Sequence, residues 1–356
     1  MNGFLPTPDP LQQLPAGFEP WGEVARDLPK LLVSDKLRPT LERLPHREIT
    51  GLNEAELNRA MLLLSYFGHA YVWGNPPPPK SLPASVAVPW YEVAKRLGRP
   101  PVLSYASYAL YNWRRIDSTG PIALGNIALL QNFLGGVDEE WFILVHVDIE
   151  AKAAPAIAAL NTNNPLPSIA VALQQMNATM LRMPEHCDPY IYYNRVRPYI
   201  HGWKNQPALP DGLIYEGVAA YAGQPQQFRG ETGAQSSIVP ALDAALGIQH
   251  KPDVLSEYLQ EMRDYMPPAH RAFIAGIKPI RDHVLAHPEL RDAYNTCVSE
   301  LERFRAKHFE YAARYIHQQA QHDAANPTEV GTGGTPFMPY LGKHLSETGE
   351  HLIPPR

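Results

Sequence analysis

Apolar residues recur along this chain mostly at three- and four-residue intervals, and the alternation in twos that marks a strand is scarce. The clearest run is Leu301 to Tyr315, which has no Pro and no Gly in a protein otherwise full of Pro. Leu301, Phe304, His308, Ala312 and Tyr315 share one helical face there, apolar except for His308. A histidine on such a face is either a tethered core residue or a ligand to something buried, and the stretch alone favours the core residue. Upstream, Asn53-Glu54-Ala55-Glu56 opens a helix whose apolar content rises through Met61-Leu62-Leu63-Leu64. It is expected to end near Gly74, before Pro76-Pro77-Pro78-Pro79, a stiff connector that cannot be helical. Trp90 to Leu97 predicts a short helix stopped by Gly98, and Leu103 to Trp113 another, dense in aromatics. After Gly135-Gly136, Trp141 to Leu160 predicts a long buried helix, kinked or restarted at Pro155. Further helices are expected over 167–184, 188–200 and 237–246, around 255–262, and from Pro267-Pro268 onward. Residues 1–50 are Pro-rich and weakly periodic and are expected as an extended surface arm. Residues 205–229 are expected to be irregular, and His250 to Asp253 is a polar stretch. The pattern predicts an all-α protein, a helical bundle over 133–356 with a smaller Pro-rich helical domain over 1–132.

Composition narrows the chemistry. A chain of 356 residues with 45% hydrophobic content can bury a large core. A net charge of −5 leaves no basic surplus for phosphates, which argues against a nucleic-acid partner. The only cysteines, Cys187 and Cys297, exclude a disulfide scaffold and a cysteine-rich zinc or iron–sulfur site. The first ten residues have neither the basic nor the apolar region of a signal peptide, and no uncharged apolar run approaches the ~20 residues of a membrane span. A reducing, cytoplasmic location without membrane attachment is expected. The 14 histidines keep metal chemistry in play.

Four constellations can carry chemistry. Arg305 lies one turn before His308; a haem on His308 would bring its propionates within reach of that arginine, and a surface cation is the plainer alternative. Phe142, His146, Ile149 and Ala153 share a face in an apolar run. The imidazole of His146 needs a partner there, either a backbone carbonyl or a site ligand. Arg197 has the planar fork that clamps a carboxylate, or that pairs with a neighbouring acid. Gly331-Thr332-Gly333-Gly334-Thr335 lacks the Lys-Ser/Thr of a phosphate loop and is either a closing lid or a flexible tail. Nucleophile-elbow, His-Glu-x-x-His and dinucleotide motifs are absent, so hydrolase and nicotinamide-dehydrogenase readings are poor.

Six ordered blocks then carry a resemblance: Tyr105-Ala106 through Asn112-Trp113, Gly202-Trp203-Lys204, Asp211-Gly212-Leu213-Ile214-Tyr215-Glu216-Gly217, Gly233-Ala234-Gln235-Ser236-Ser237, Tyr265-Met266-Pro267-Pro268-Ala269-His270-Arg271, and the Gly331–Thr335 stretch. Together they span residues 100–345 and resemble the indoleamine 2,3-dioxygenase family, here of a bacterial type, a sister of tryptophan 2,3-dioxygenase. The resemblance implies an all-α, two-domain, cytoplasmic enzyme of tryptophan catabolism to kynurenines. It implies haem b with ferrous iron, O2 as co-substrate, an aromatic amino acid or indole substrate, and an electron donor. It implies His308 as the iron ligand, Arg305 as a propionate partner and Asp243 as the acid bracing that arginine. Arg197 would take the substrate carboxylate, Thr332 lie on the closing loop, and Tyr105, Phe142 and Tyr192 line the pocket. His146 stands at the distal, catalytic position, where animal members carry serine and the sister family histidine. Tyr108 replaces a smaller residue, Tyr192-Tyr193 a phenylalanine pair, and Glu231-Thr232 a Gly-Ser pair. These departures bear on the substrate more than on the haem. They leave open single-oxygen insertion into a modified indole or other aromatic, a non-catalytic haem protein, and a helical interaction protein with His308 in its core. Oligomeric state is not indicated.

Overall fold

The computed structural model describes residues 2–251, 254–320, 331–333 and 338–355. Pro252 and Asp253 of the polar stretch, and Gly334 and Thr335 of the Gly-rich loop, lie outside the described residues. The chain is mainly helical, as expected. Among the described residues, strands form only two small pairings. Ser81–Leu82 runs parallel to Ile214–Tyr215, and Trp113–Arg115 antiparallel to Ile127–Leu129.

The helix Glu54–Trp73 begins where its sequence says it should. Asn53 accepts from the Glu56 amide at 3.0 Å while the Glu56 carboxylate accepts from the Asn53 amide at 2.8 Å, a reciprocal cap. From Ala60 to Val72 it is buried on every side, so it forms the axis of one core. Gly68 is required there: a Cβ would come within 2.1 Å of the Trp90 ring, which lies directly on the helix backbone. Trp90 belongs to the helix Ala84–Leu97, which starts earlier than its aromatic residues indicated and ends at Gly98 in the left-handed region, with φ 64°.

Three expectations are corrected. The N-terminal 50 residues are not an arm. They hold the helices Glu19–Leu32 and Leu37–Glu42, with Trp21, Ala25, Leu28 and Leu32 buried along one face. Pro20 sits at the first turn, where its missing N–H costs nothing, so a high proline count did not preclude a helix. Within 103–113 only Ala106–Leu110 is helical, as one wide turn, and Trp113 already belongs to a strand. Every residue from Val102 to Leu110 is buried, so no face existed for periodicity to report. The expected helix over 188–200 is instead Pro189–Ile191, a wide turn Tyr192–Val196 and a tight turn Arg197–Ile200. Pro198 supplies no N–H to continue an α-helix. Of the two outcomes expected at Pro155, a kink or a restart, the restart is excluded, because one helix runs over Val137–Ala159 with Pro155 inside it.

Two large apolar cores result. One gathers the helices before residue 98 together with Ile200, Trp203, Leu213 and Tyr215. The other gathers the helices Val137–Ala159, Leu166–Met180, Ile238–Leu246 and Arg291–Ala312. Phe142 packs against both, so its helix forms the seam between them. Among the described residues no helix is long and apolar enough to cross a membrane.

Candidate active site

The site grows from that seam. His146 lies one turn after Phe142 on the helix Val137–Ala159, and its Nδ1 is 2.7 Å from the Phe142 carbonyl oxygen. A carbonyl only accepts, so Nδ1 carries the proton and Nε2 presents its lone pair. Burial lowers the basicity of this imidazole, which keeps it neutral. The backbone partner weighed from the sequence is therefore real but engages only one ring nitrogen. The Phe142 ring lies 4.7 Å from the His146 ring and 4.6 Å from that of Tyr192, and Tyr105 meets His146 edge-on at 6.0 Å. Two of the three residues expected to line one pocket thus meet His146, and the third, Tyr192, packs on Phe142. Tyr108, another departure from the family pattern, packs behind Phe142 at 6.3 Å.

His308 sits on the helix Arg291–Ala312, within electrostatic reach of His146. Its ring keeps an open surface, yet the protein around it is dense enough to push its pKa down to about 4. The positive charges that protonated His146 and Arg305 would carry add to that effect after burial. The His308 ring makes no hydrogen bond to the described residues. The core-residue alternative fails on this point, since a core histidine is packed and hydrogen-bonded. His69 shows the contrast: it is wholly buried, with Nδ1 2.7 Å from the Tyr199 carbonyl and Nε2 accepting from the Leu103 amide at 2.9 Å.

One turn back, Arg305 donates to the Asp243 carboxylate at 2.7 Å and to the Thr348 hydroxyl at 2.7 Å. Burial alone would raise the Asp243 pKa, but Arg305 and His250 outweigh it and hold the group at about 2. The guanidinium is therefore fixed, with N–H groups to spare for an acidic ligand.

Arg197 is fully buried, its guanidinium 5.3 Å from the Tyr193 ring centroid and within electrostatic reach of Tyr192. Thr332 joins from far along the chain. Its carbonyl accepts from the Gly202 amide at 3.3 Å, and its hydroxyl donates to the Glu231 carbonyl. Arg305 and Asp243 are thus joined near His308, Phe142, Tyr105 and Tyr192 cluster around His146, and Arg197 lies within electrostatic reach of Tyr192.

Sequence reasoning missed Glu150. It is wholly buried and accepts from the Tyr105 hydroxyl at 3.0 Å and the Ser236 hydroxyl at 2.9 Å, and burial lifts its pKa to about 7. Its signal was a carboxylate four residues after His146, on the same helical face. The bond holds the Tyr105 ring against His146.

These residues fit the haem that the resemblance implied. An open imidazole that no described residue bonds, a second imidazole among aromatic side chains within its electrostatic reach, and a braced arginine one turn away are the parts that such a group needs. Comparison with known proteins agrees. The family model described as indoleamine 2,3-dioxygenase matches residues 1–351. The chain is 39% identical to indoleamine 2,3-dioxygenase 1 of Rattus norvegicus, covering 97% of this chain and 92% of that protein. It is 34% identical to indoleamine 2,3-dioxygenase 2 of Homo sapiens, covering 99% and 94%. It is 30% identical to the indoleamine 2,3-dioxygenase of Saccharomyces cerevisiae, covering 98% and 90%. With the match running nearly end to end in each case, the chain belongs to the indoleamine 2,3-dioxygenase family of oxidoreductases.

Proposed function

We propose that this protein is a haem-dependent dioxygenase that opens the indole 2,3-bond of L-tryptophan, or of a related indoleamine, to give N-formylkynurenine. The observation that carries the reading is the open imidazole of His308, bonded to no described residue and within electrostatic reach of His146. His308 would hold the iron of haem b, and Arg305, braced by Asp243, would take a propionate. Haem in its ferrous form, kept so by an electron donor, supplies the activation of O2. The remaining work falls to the chain. Arg197 clamps the substrate carboxylate. Phe142, Tyr105 and Tyr192 form the aromatic wall that holds the indole ring and keeps water out. His146 offers Nε2 as an acceptor, its proton being fixed on Nδ1 by the Phe142 carbonyl, so it can receive the indole N–H. Orientation of this kind is worth several kcal/mol of barrier.

The division into 1–132 and 133–356, the cytoplasmic setting and the bacterial type are parts of the same reading. Two buried free thiols, Cys187 and Cys297, suit a reducing compartment.

The test is anaerobic reduction of the haem-loaded protein, addition of O2 and L-tryptophan, and mass analysis of the product. A gain of two oxygen atoms is expected. A gain of one would assign the monooxygenase chemistry that the tyrosine-rich pocket permits, and a coloured protein without turnover would leave only haem binding. His146→Ser is expected to retain haem and O2 binding while kcat/KM for L-tryptophan falls by roughly tenfold, the worth of one buried hydrogen bond. Unchanged kinetics would remove His146 from substrate orientation.

A further inference from the structure

Glu231 is a buried carboxyl that the mechanism above does not use. The Glu231 amide donates to the Ile200 carbonyl at 3.0 Å, and the Glu231 carbonyl accepts from Thr332. Beside it, Gly202 and Gly230 approach so closely that a Cβ on either would come within 2.2 Å of the other's backbone nitrogen. One backbone junction therefore ties together the segment that follows Arg197, the segment carrying Glu231, and Thr332.

The side chain leaves this junction toward the site. Glu231 is 5% exposed, and its charge reaches the phenols of Tyr66, Tyr105, Tyr108 and Tyr192. Tyr105 and Tyr192 belong to the aromatic wall around His146. No described side chain hydrogen-bonds to the carboxyl or forms an ion pair with it, and burial alone lifts its pKa to about 8. A buried carboxyl left without a partner is costly, and proteins retain such groups where a ligand completes them. Other buried acids do have donors: the Tyr105 and Ser236 hydroxyls meet one oxygen of Glu150, and Glu139 accepts from the Phe133 and Gly135 amides at 2.6 and 2.8 Å.

We propose that Glu231 binds the protonated amine of the substrate, so that Arg197 and Glu231 together read the carboxylate and the ammonium of an α-amino acid. This rests on the pocket reading above and deepens it. An α-amino acid carries both charges on one carbon, so its two recognition groups must come from neighbouring backbone. The Ile200–Glu231 bond supplies that adjacency, with Arg197 three residues before Ile200. The ammonium in turn provides the counter-charge that no described side chain gives the carboxylate. The preferred ligands are primary amines on an indole scaffold, and indole acids without an amine gain nothing from Glu231.

The test titrates haem-loaded wild type and Glu231→Gln with L-tryptophan, tryptamine and indole propionate, read by perturbation of the haem absorbance. Glu231→Gln is expected to weaken L-tryptophan and tryptamine by about tenfold to a hundredfold, the range for a lost charge-assisted bond. Indole propionate binding stays unchanged, and Glu231→Asp keeps part of the preference for amines. Equal weakening of all three ligands, or unchanged affinity for L-tryptophan, overturns the assignment while the pocket reading stands. Failure of wild type to bind any of the three overturns both.

Discussion

Replacing His308 by Ala is expected to give a folded protein that no longer retains haem and no longer turns over substrate. The helix Arg291–Ala312 does not need this side chain. His308 makes no hydrogen bond to the described residues and keeps an open surface, and Ala is the best helix former. Thermal stability of the apoprotein should therefore stay within about 0.5 kcal/mol of wild type. Haem retention is different, because the imidazole is the axial ligand in this reading and Ala offers no donor atom. The measurement is the haem-to-protein absorbance ratio after gel filtration, with circular dichroism to verify the fold. Imidazole added to the buffer should restore part of the haem, since the truncated side chain leaves room for it. Retention of haem at the wild-type ratio would remove His308 as the ligand and with it the proposed function.

How far the sequence could carry this argument depended on whether a feature was local. The His308 helix and the Glu54–Trp73 helix were legible because periodicity and a capping box lie within a few turns. The helix Glu19–Leu32 was not, because its prolines at 20 and 29 masked the spacing of Trp21, Ala25, Leu28 and Leu32. The segment around Tyr105 defeated periodicity for the opposite reason, being buried on all sides. Within the site, His146 and its aromatic neighbour Phe142 lie one turn apart and were found together. The Tyr105–Glu150 bond joins residues 45 apart, and Thr332 meets Glu231 across 101. Such pairings leave no spacing in the sequence, so the resemblance placed Tyr105 and Thr332, and only the fold showed what holds them.

Arg197→Leu is expected to be the variant with the largest effect on substrate recognition. Arg197 is wholly buried, and Leu preserves an apolar surface against Tyr193 while removing every donor. Truncating one side of a buried charged pair costs at least about 2 kcal/mol, so KM for L-tryptophan should rise at least about thirtyfold. Tryptamine, which has no carboxylate, should lose far less, and haem content should not change, because Arg305 and His308 lie on a separate helix. The comparison with Glu231→Gln makes the expectation sharper. Arg197→Leu should spare tryptamine and penalise indole propionate, and Glu231→Gln should do the reverse, with L-tryptophan losing in both. A general loosening of the pocket cannot produce opposite selectivities from two residues fixed on one backbone junction. Equal losses for L-tryptophan and tryptamine in Arg197→Leu would mean that Arg197 supports the pocket wall rather than the substrate carboxylate.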